Sequence, residues 1–371
     1  MTQTRQGLAA SRLFSPARLG GLELPHRLVM APLTRNRAGA DGVPGDLMAT
    51  YYAQRASAGL IIAEATTPNA VGQTYPHIPG IHTPAQIAGW RRVTDAVRAA
   101  GGQMFLQLQH GGRVGHPDTS GHVPLAPSAV RFPEPLHTPG GLRDAVTPRA
   151  MTEEDIASTV ADFADAARNA VEAGFAGVEV HAANGHLLHQ FLARNTNLRT
   201  DAWGGSAEGR IRFPVEVVRA VAEAVGPERV GVRISPGIEV NGVEEGDAEE
   251  VYPALVTALA ELEPVYLHQV HADPDRPAFA ALRKAWPGTL IANPVLSHEE
   301  VASDGGRRRG ERLLAEGADL VALGRGFLAN PDFVERLRTG APLNALRPES
   351  LMHVHGPEGY TDYPALGSRT A

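Results

Sequence analysis

The chain alternates short, uniformly apolar runs with longer stretches in which alanine and aliphatic residues recur at helical spacing. The apolar runs read "HRLVMAPLT" (26–34), "GLIIAEAT" (59–66), "QMFLQLQH" (103–110) and "GVEVHAAN" (177–184), followed by "RVGVRISP" (229–236), "PVYLHQVH" (264–271), "TLIANPV" (289–295) and "ADLVALGRG" (318–326). Helical patterns such as "EEDIASTVADFADAARNAVEAG" (153–174) and "GERLLAEG" (310–317) lie between them. Strands that are apolar throughout, rather than alternating, predict a parallel sheet covered by helices. The junctions "AVRAAGGQM", "AVEAGFAGVEV" and "RLLAEGADLV" place a glycine just past each helix, the expected stop before a buried strand. Eight such units within 371 residues predict an α/β fold, a (β/α)8 TIM barrel with insertions. A doubly wound sheet competes, but no G-x-G-x-x-G follows any run.

One segment breaks the rhythm. Residues 111–150, rich in proline and glycine, follow the third strand. A connection that long in a compact domain is usually functional, so it is expected to cap the site as a lid within a single barrel domain spanning 1–371. Near the end, "EGYTDYPAL" (358–366) reads as an ordered return rather than a helix.

Composition narrows the class of function. A formal net charge of −7 argues against nucleic acid or an anionic membrane as partner. No apolar run approaches the ~18 residues that span a bilayer. The opening "MTQTRQGLAASRLF" lacks the apolar core of a signal peptide. Without cysteine there is no disulfide, thiolate metal site or cysteine nucleophile. A cytoplasmic enzyme acting on small molecules is expected.

In a (β/α)8 barrel, catalytic groups stand at the C-terminal ends of the strands. Here those ends carry Pro32-Leu33-Thr34, Glu64-Ala65-Thr66, Gln107 and Gln109, His181 and Asn184, Arg233, and Gly324-Arg325. An arginine inside "VGVRISP" is costly unless an anion or acceptor meets it. The end of strand eight is where such barrels commonly hold a phosphate. Together these point to a phosphorylated cofactor across the mouth.

The motifs "MAPLTRNRA" (30–38), "EAT" (64–66), "TYPHIPGIHT" (74–83), "QLQHGGR" (107–113), "HAANGHLLHQFLARNTNLRTDAWGGSAEGR" (181–210), "GVRISP" (231–236), "LGRGFLANPDFVERL" (323–337) and "GYTDYP" (359–364) occur in an order and spacing that resembles the Old Yellow Enzyme family of FMN-dependent ene-reductases. The resemblance covers roughly residues 12 to 366. It implies bound FMN, NADPH or NADH as reductant, and hydride passed from flavin N5 to the β-carbon of an α,β-unsaturated carbonyl or nitro compound. By the same resemblance Pro32, Leu33 and Ala65 line the isoalloxazine, and Thr34 bonds the flavin carbonyl near N5. Gln107 meets the pyrimidine edge, and Arg233 faces N1 and O2. A charge-assisted bond there, ~1.5–3 kcal/mol, corresponds to about 30–60 mV for a two-electron couple. Asn293, Val295, Gly324 and Arg325 would hold the phosphate, and Tyr75 and His353 would line the substrate pocket. His181 and Asn184 would hold the substrate oxygen, on which enolate charge grows, in the manner of an oxyanion hole.

Four positions depart from the family pattern. His186 stands where a proton-donating tyrosine is usual, and is expected either to donate to the α-carbon as imidazolium or to leave that role to solvent. Gln109 replaces an aromatic and His353 a tyrosine, which implies a wetter, more open cavity. Pro294 replaces a glycine of the phosphate loop and offers no N–H. A metal site at His181, His186 and His189 is not expected, since no adjacent carboxylate or H-E-x-x-H pattern accompanies them. Ser206 is read as an N-cap, Glu208 and Arg212 as an i,i+4 pair, and "GGRRRGER" (305–312) as a solvated helix face. Two alternatives stand beside ene reduction: a related flavin-barrel reductase of nitroesters or quinones, and a flavin-binding protein with weakened catalysis.

Overall fold

The computed structural model describes residues 11–368; the part of the N-terminal reading that covers residues 1–10 lies outside them. Eight strands form one closed parallel barrel: β1 (Leu28–Met30), β2 (Leu60–Thr66), β3 (Met104–Leu108), β4 (Gly177–Ala182), β5 (Val230–Ile234), β6 (Tyr266–Val270), β7 (Thr289–Asn293) and β8 (Leu320–Leu323). Each pairs with its sequence neighbour, and β8 closes on β1 through Val321–Leu28 and Leu323–Met30. The fold is the expected (β/α)8 barrel. Its surrounding helices include α1 (Asp46–Ala53), α2 (Pro84–Ala99), α3 (Glu153–Glu172), α4 (Leu187–Leu192), α5 (Ala207–Val225), α6 (Ala248–Ala260), α7 (Pro277–Ala285) and α8 (Arg307–Ala315). None of the described helices is long and apolar enough to cross a membrane.

The period-two geometry of a strand divides each apolar run between two cores. Leu28, Ile61, Leu106, Val180, Val232 and Leu267 face outward into the helical layer. Val29, Ile62, Phe105, Tyr266, Ile291 and Ala322 fill the barrel interior, joined by Leu19 and Leu24 from an N-terminal hairpin, Ala17–Leu19 with Leu22–Leu24, which packs beneath them. Glycine makes room for the large rings: a Cβ on Gly231 would lie 2.0 Å from the Tyr266 ring. Two residues further along the same strands the inward positions become polar. Ile62 is followed by Glu64, Phe105 by Gln107, Gly231 by Arg233, and Tyr266 by His268, all of them buried. The barrel therefore has an apolar floor and a polar mouth.

Helix signals were accurate. Thr152 and Asp155 form a capping box at the start of α3, and Gly174, at φ 92°, follows its end. Ser206 Oγ accepts from Gly209 N–H and caps α5 as expected. Arg212 does not pair with Glu208 as read from the sequence; its guanidinium lies 5.8 Å from the Trp203 ring centroid instead. The basic run of α8 is matched by acids, with Arg308 on Asp304, Arg309 on Glu300 and Arg312 on Asp275.

The segment 111–150 carries short elements of its own. These are a one-turn helix at Pro117–Ser120, a hairpin of Leu136–Thr138 with Gly141–Arg143, and a parallel pairing of Leu125–Ala126 with Arg149–Ala150. Val114, Phe132, Leu136 and Ala145 make a local core against which Tyr75 packs. The C-terminal return is laced to the start of the barrel. Arg35 donates to the carbonyls of Leu351 and Gly359, Arg37 to Ser350 and Glu358, and Arg55 to Tyr360, while Tyr360 stacks on Tyr51 at 4.0 Å.

Candidate active site

At the top of β4 the chain must turn sharply to enter α4. Asn184 takes φ 53° and Gly185 φ 74°. Asparagine is among the few residues with a side chain that visit the left-handed region readily, and glycine has no Cβ to clash there. A Cβ on Gly185 would meet Asn241 Cβ and Val240 O, each at 2.6 Å. The turn sets His181, Asn184 and His186 together.

His181 and His186 are both buried, and His181 Nε2 lies 3.2 Å from His186 Nδ1. One of these nitrogens donates and the other accepts, so two neutral rings suit the contact. Burial, with help from the neighbouring imidazoles and Arg233, holds His181 well below the usual histidine range. Burial likewise brings His186 down to about 4. Of the two expectations for His186, donation as imidazolium or replacement by solvent, this setting favours the second, because burial makes the charged ring the disfavoured form. Three buried polar atoms here lack a protein partner: His181 Nδ1, His186 Nε2 and Asn184 Oδ1. Buried polar groups are otherwise almost always paired, so this cluster marks a place for a ligand.

A cavity of about 180 Å3 opens across the neighbouring strand ends, and Pro32, Leu33, Arg233, Asn293, Gly324 and Arg325 are among its lining. Arg233 donates from Nη2 to Asn293 Oδ1 at 2.8 Å, while its buried Nε has no protein partner. Beneath it Glu179 accepts from Gln107 Nε2 (2.8 Å), His268 Nδ1 (2.7 Å) and Tyr266 OH (3.1 Å). Burial by itself would raise the Glu179 carboxyl, but His268, Arg233 and Gln107 together hold it below the usual range. Gln107 is thus anchored by its amide nitrogen. Ala65 is buried at the end of β2, Thr34 is half-buried, and Val295 is 55% exposed at the rim. Arg325 donates to Leu296 O at 2.5 Å.

Around the mouth, Gln109 donates to Thr74 Oγ1 at 3.2 Å. Tyr75 sits between the local core of the 111–150 segment and His353, with ring centroids 6.2 Å apart. His353 is exposed and stacks on His137 of the hairpin at 3.9 Å. It therefore bridges the hairpin and the C-terminal return. His189, in contrast to its two neighbours, is met by a carboxylate, Glu245, which the sequence reading did not foresee. No group of three or more metal-ligating side chains suited to a metal ion occurs among the described residues.

Sequence reading missed Glu179, His268, Gln269 and the Glu64–Arg35 contact. Glu64 accepts from Arg35 N–H and Tyr52 OH, and Gln269 Oε1 is buried without a partner. The available signal was a polar residue at an inward position of an otherwise apolar run. The arrangement fits a flavin mononucleotide. It offers an apolar edge at Pro32 and Leu33 and a buried guanidinium with an unpaired nitrogen, and the strand next to Arg233 carries the unpaired His181 Nδ1.

Comparisons with known proteins point to a flavin-dependent family. Residues 12–344 match the NADH:flavin oxidoreductase / NADH oxidase family. A putative 12-oxophytodienoate reductase 3 of Oryza sativa subsp. japonica is 42% identical over 96% of this chain and 94% of its own. A probable flavin mononucleotide-dependent alkene reductase of Leishmania infantum is 40% identical, covering 95% of this chain and 97% of its own. Among solved structures, morphinone reductase superposes with a TM-score of 0.89 at 43% identity, covering 97% of this chain and 99% of that one. The chain belongs to the NADH:flavin oxidoreductase / NADH oxidase family, the Old Yellow Enzyme group to which its motifs pointed.

Proposed function

We propose that the protein is an FMN-dependent ene-reductase, reduced by NADPH or NADH and acting on α,β-unsaturated carbonyl or nitro compounds. The observation that carries this reading is the trio of unpartnered polar atoms on His181, Asn184 and His186, beside a cavity lined by Pro32, Leu33 and Arg233. When bound, the flavin supplies a hydride donor and acceptor. Pro32, Leu33 and Ala65 would pack its ring, and Thr34 and Gln107 would meet its polar edge. Arg233 would stand against negative charge at N1 and O2, and Asn293, Val295, Gly324 and Arg325 would hold the phosphate.

His181, through Nδ1–H, and Asn184, through its side-chain NH2, bind and orient the substrate oxygen. Donors fixed in a water-poor site stabilise an oxygen that gains charge without having to reorganise. His186 shares a proton with His181 and so governs which nitrogen of that ring is free to donate; the proton for the α-carbon comes from solvent. Residues 111–150 form the lid, with Tyr75 and His353 at its seam limiting water entry. The apolar floor below Gln107 and Glu179 closes the other end. We read the chain as cytoplasmic, with no nucleic-acid or membrane partner.

The test is anaerobic. Purified yellow protein should be bleached by NADPH or NADH and recover its colour on addition of 2-cyclohexenone, with cyclohexanone formed in equal amount. Turnover of a nitroester or quinone without any turnover of enones or nitroalkenes would refute the assignment. Bleaching that no acceptor reverses would refute it as well.

A further inference from the structure

The left-handed turn at Asn184 is held by a set of side chains that the reaction itself does not touch. Asn184 N–H donates to Ser235 Oγ at 2.9 Å, and its carbonyl accepts from Asn241 Nδ2 at 2.8 Å. Gly185 N–H donates to His189 Nδ1 at 2.9 Å, and Gly185 O accepts from Gln190 Nε2 at 2.8 Å. Both peptide planes flanking Asn184 are therefore tied down. Since Gly185 N–H points at Nδ1, that atom of His189 carries no hydrogen, and the ring's hydrogen sits on Nε2.

The Nε2 hydrogen is directed at Glu245 Oε1, 2.6 Å away. The same oxygen accepts from Tyr252 OH at 2.6 Å, and Oε2 accepts from Gly237 N–H at 2.8 Å. His189, Glu245 and Tyr252 are all buried. An acceptor with three donors around it can face His189 only with lone pairs, so it dictates the tautomer of the ring. The tautomer in turn dictates whether Gly185 N–H has an acceptor.

Resting on the reading that Asn184 holds the substrate oxygen, we propose that Glu245, acting through His189, is a positioning residue that fixes the Asn184 turn and so sets the affinity of the site for an oxyanion. A neutral amide at 245 cannot do this. With its oxygen toward His189 its NH2 opposes Gly237 N–H. With its NH2 toward His189 the ring must move its hydrogen to Nδ1, against Gly185 N–H.

The experiment uses flavin-loaded protein and 4-chlorophenol, a stable oxyanion probe, titrated by the change in flavin absorbance. Glu245→Gln is expected to weaken binding about tenfold, the scale of one charge-assisted hydrogen bond, with flavin content close to wild type and a lowered thermal midpoint, since a buried donor loses its acceptor. His189→Leu should weaken it similarly, and the double variant no further, because one acts through the other. Asn184→Ala separates the two ideas. If it weakens binding and Glu245→Gln does not, the positioning role is overturned; if it leaves binding unchanged, the underlying assignment of the site fails instead. A wild-type measurement avoids any folding defect in the variants. The 15N spectrum of labelled histidine, with His189 assigned by difference from His189→Leu, should show the Nε2–H tautomer. A ring protonated on Nδ1 would overturn the proposal.

Discussion

Where a phenol is exchanged for an imidazole, one weak acid gives way to a base, and the surroundings decide which form that base takes. In isolation His186 would hold its proton up to about pH 6.5; buried against His181 it releases it by about 4. An enone half-reaction that relied on the imidazolium would slow as pH rose through 6.5. With the shift, the rate is expected to be flat between pH 5.5 and 9, and His186→Phe should share that flat profile; a wild-type break near 6.5, seen by stopped-flow, would restore the acid role. His181 and Asn184 carry the larger effect. Replacing both by alanine should slow reoxidation of the reduced protein by 2-cyclohexenone by ~10²–10³-fold, as loss of oxyanion donors typically does. Reoxidation by dioxygen, which needs no clamp, should stay near wild type. An unchanged enone rate would remove the pair from the site. Of this residue-level picture, the identities of His181, Asn184 and Arg233 were legible in the sequence because each is a polar interruption at a strand end. The neutrality of His186 was not, since it depends on how many atoms surround the ring.

The strands themselves were legible for a related reason: a segment buried on both faces is apolar at nearly every position outside the polar mouth, and such runs are conspicuous. The N-terminal hairpin, with three-residue strands, and the two-residue pairing of Leu125–Ala126 with Arg149–Ala150 were not. Elements so short owe their shape to what they pack against, and their local pattern is too brief to read. The complementarity of floor residues across strands was equally hidden. Gly231 on β5 exists for the ring of Tyr266 on β6, and a methyl group there would lie 2.0 Å from it. Gly231→Ala is expected to cost about 1–3 kcal/mol, the range for overpacking a filled core. A lowered denaturant midpoint with unchanged slope would register it; no change in midpoint would mean that the Tyr266 ring moves freely, and that the floor is looser than its packing indicates. Because Tyr266 OH also bonds Glu179, the same substitution should disturb the support beneath Arg233 and loosen flavin retention.

For the molecule as a whole, burial of titratable groups sets an acid limit. His110 and His186 have folded values brought down by burial to about 3 and about 4, so between there and 6.5 the unfolded chain binds protons that the folded one refuses. Their contribution to stability is complete above pH 6.5 and is lost as pH falls toward the folded values. Glu64 works in the other direction. Burial raises it to about 7 from 4.5, so between those values the folded protein holds the extra proton, and this contribution is lost as pH rises through 7. Two histidines outweigh one carboxyl, and the thermal midpoint is expected to fall from pH 7 to pH 5. Glu64→Gln should compare most favourably with wild type above pH 7 and lose that advantage toward pH 4.5. Parallel melting curves for the two proteins would disprove the shift. The arrangement of Arg35, Arg37 and Arg55 has a further consequence, in the order of synthesis. These guanidiniums come from the first βα unit, yet the carbonyls they require at Ser350, Leu351, Glu358, Gly359 and Tyr360 are made about 300 residues later. Domains fold while the ribosome is still translating, but the loop bearing Pro32, Leu33 and Thr34 is held in its final form only once residues 350–360 are available. Emergence of that segment should therefore precede flavin capture. Stalled chains ending at residue 348 are expected to be flavin-free and protease-sensitive near residues 32–37, whereas full-length chains released from the same translation mix should turn yellow.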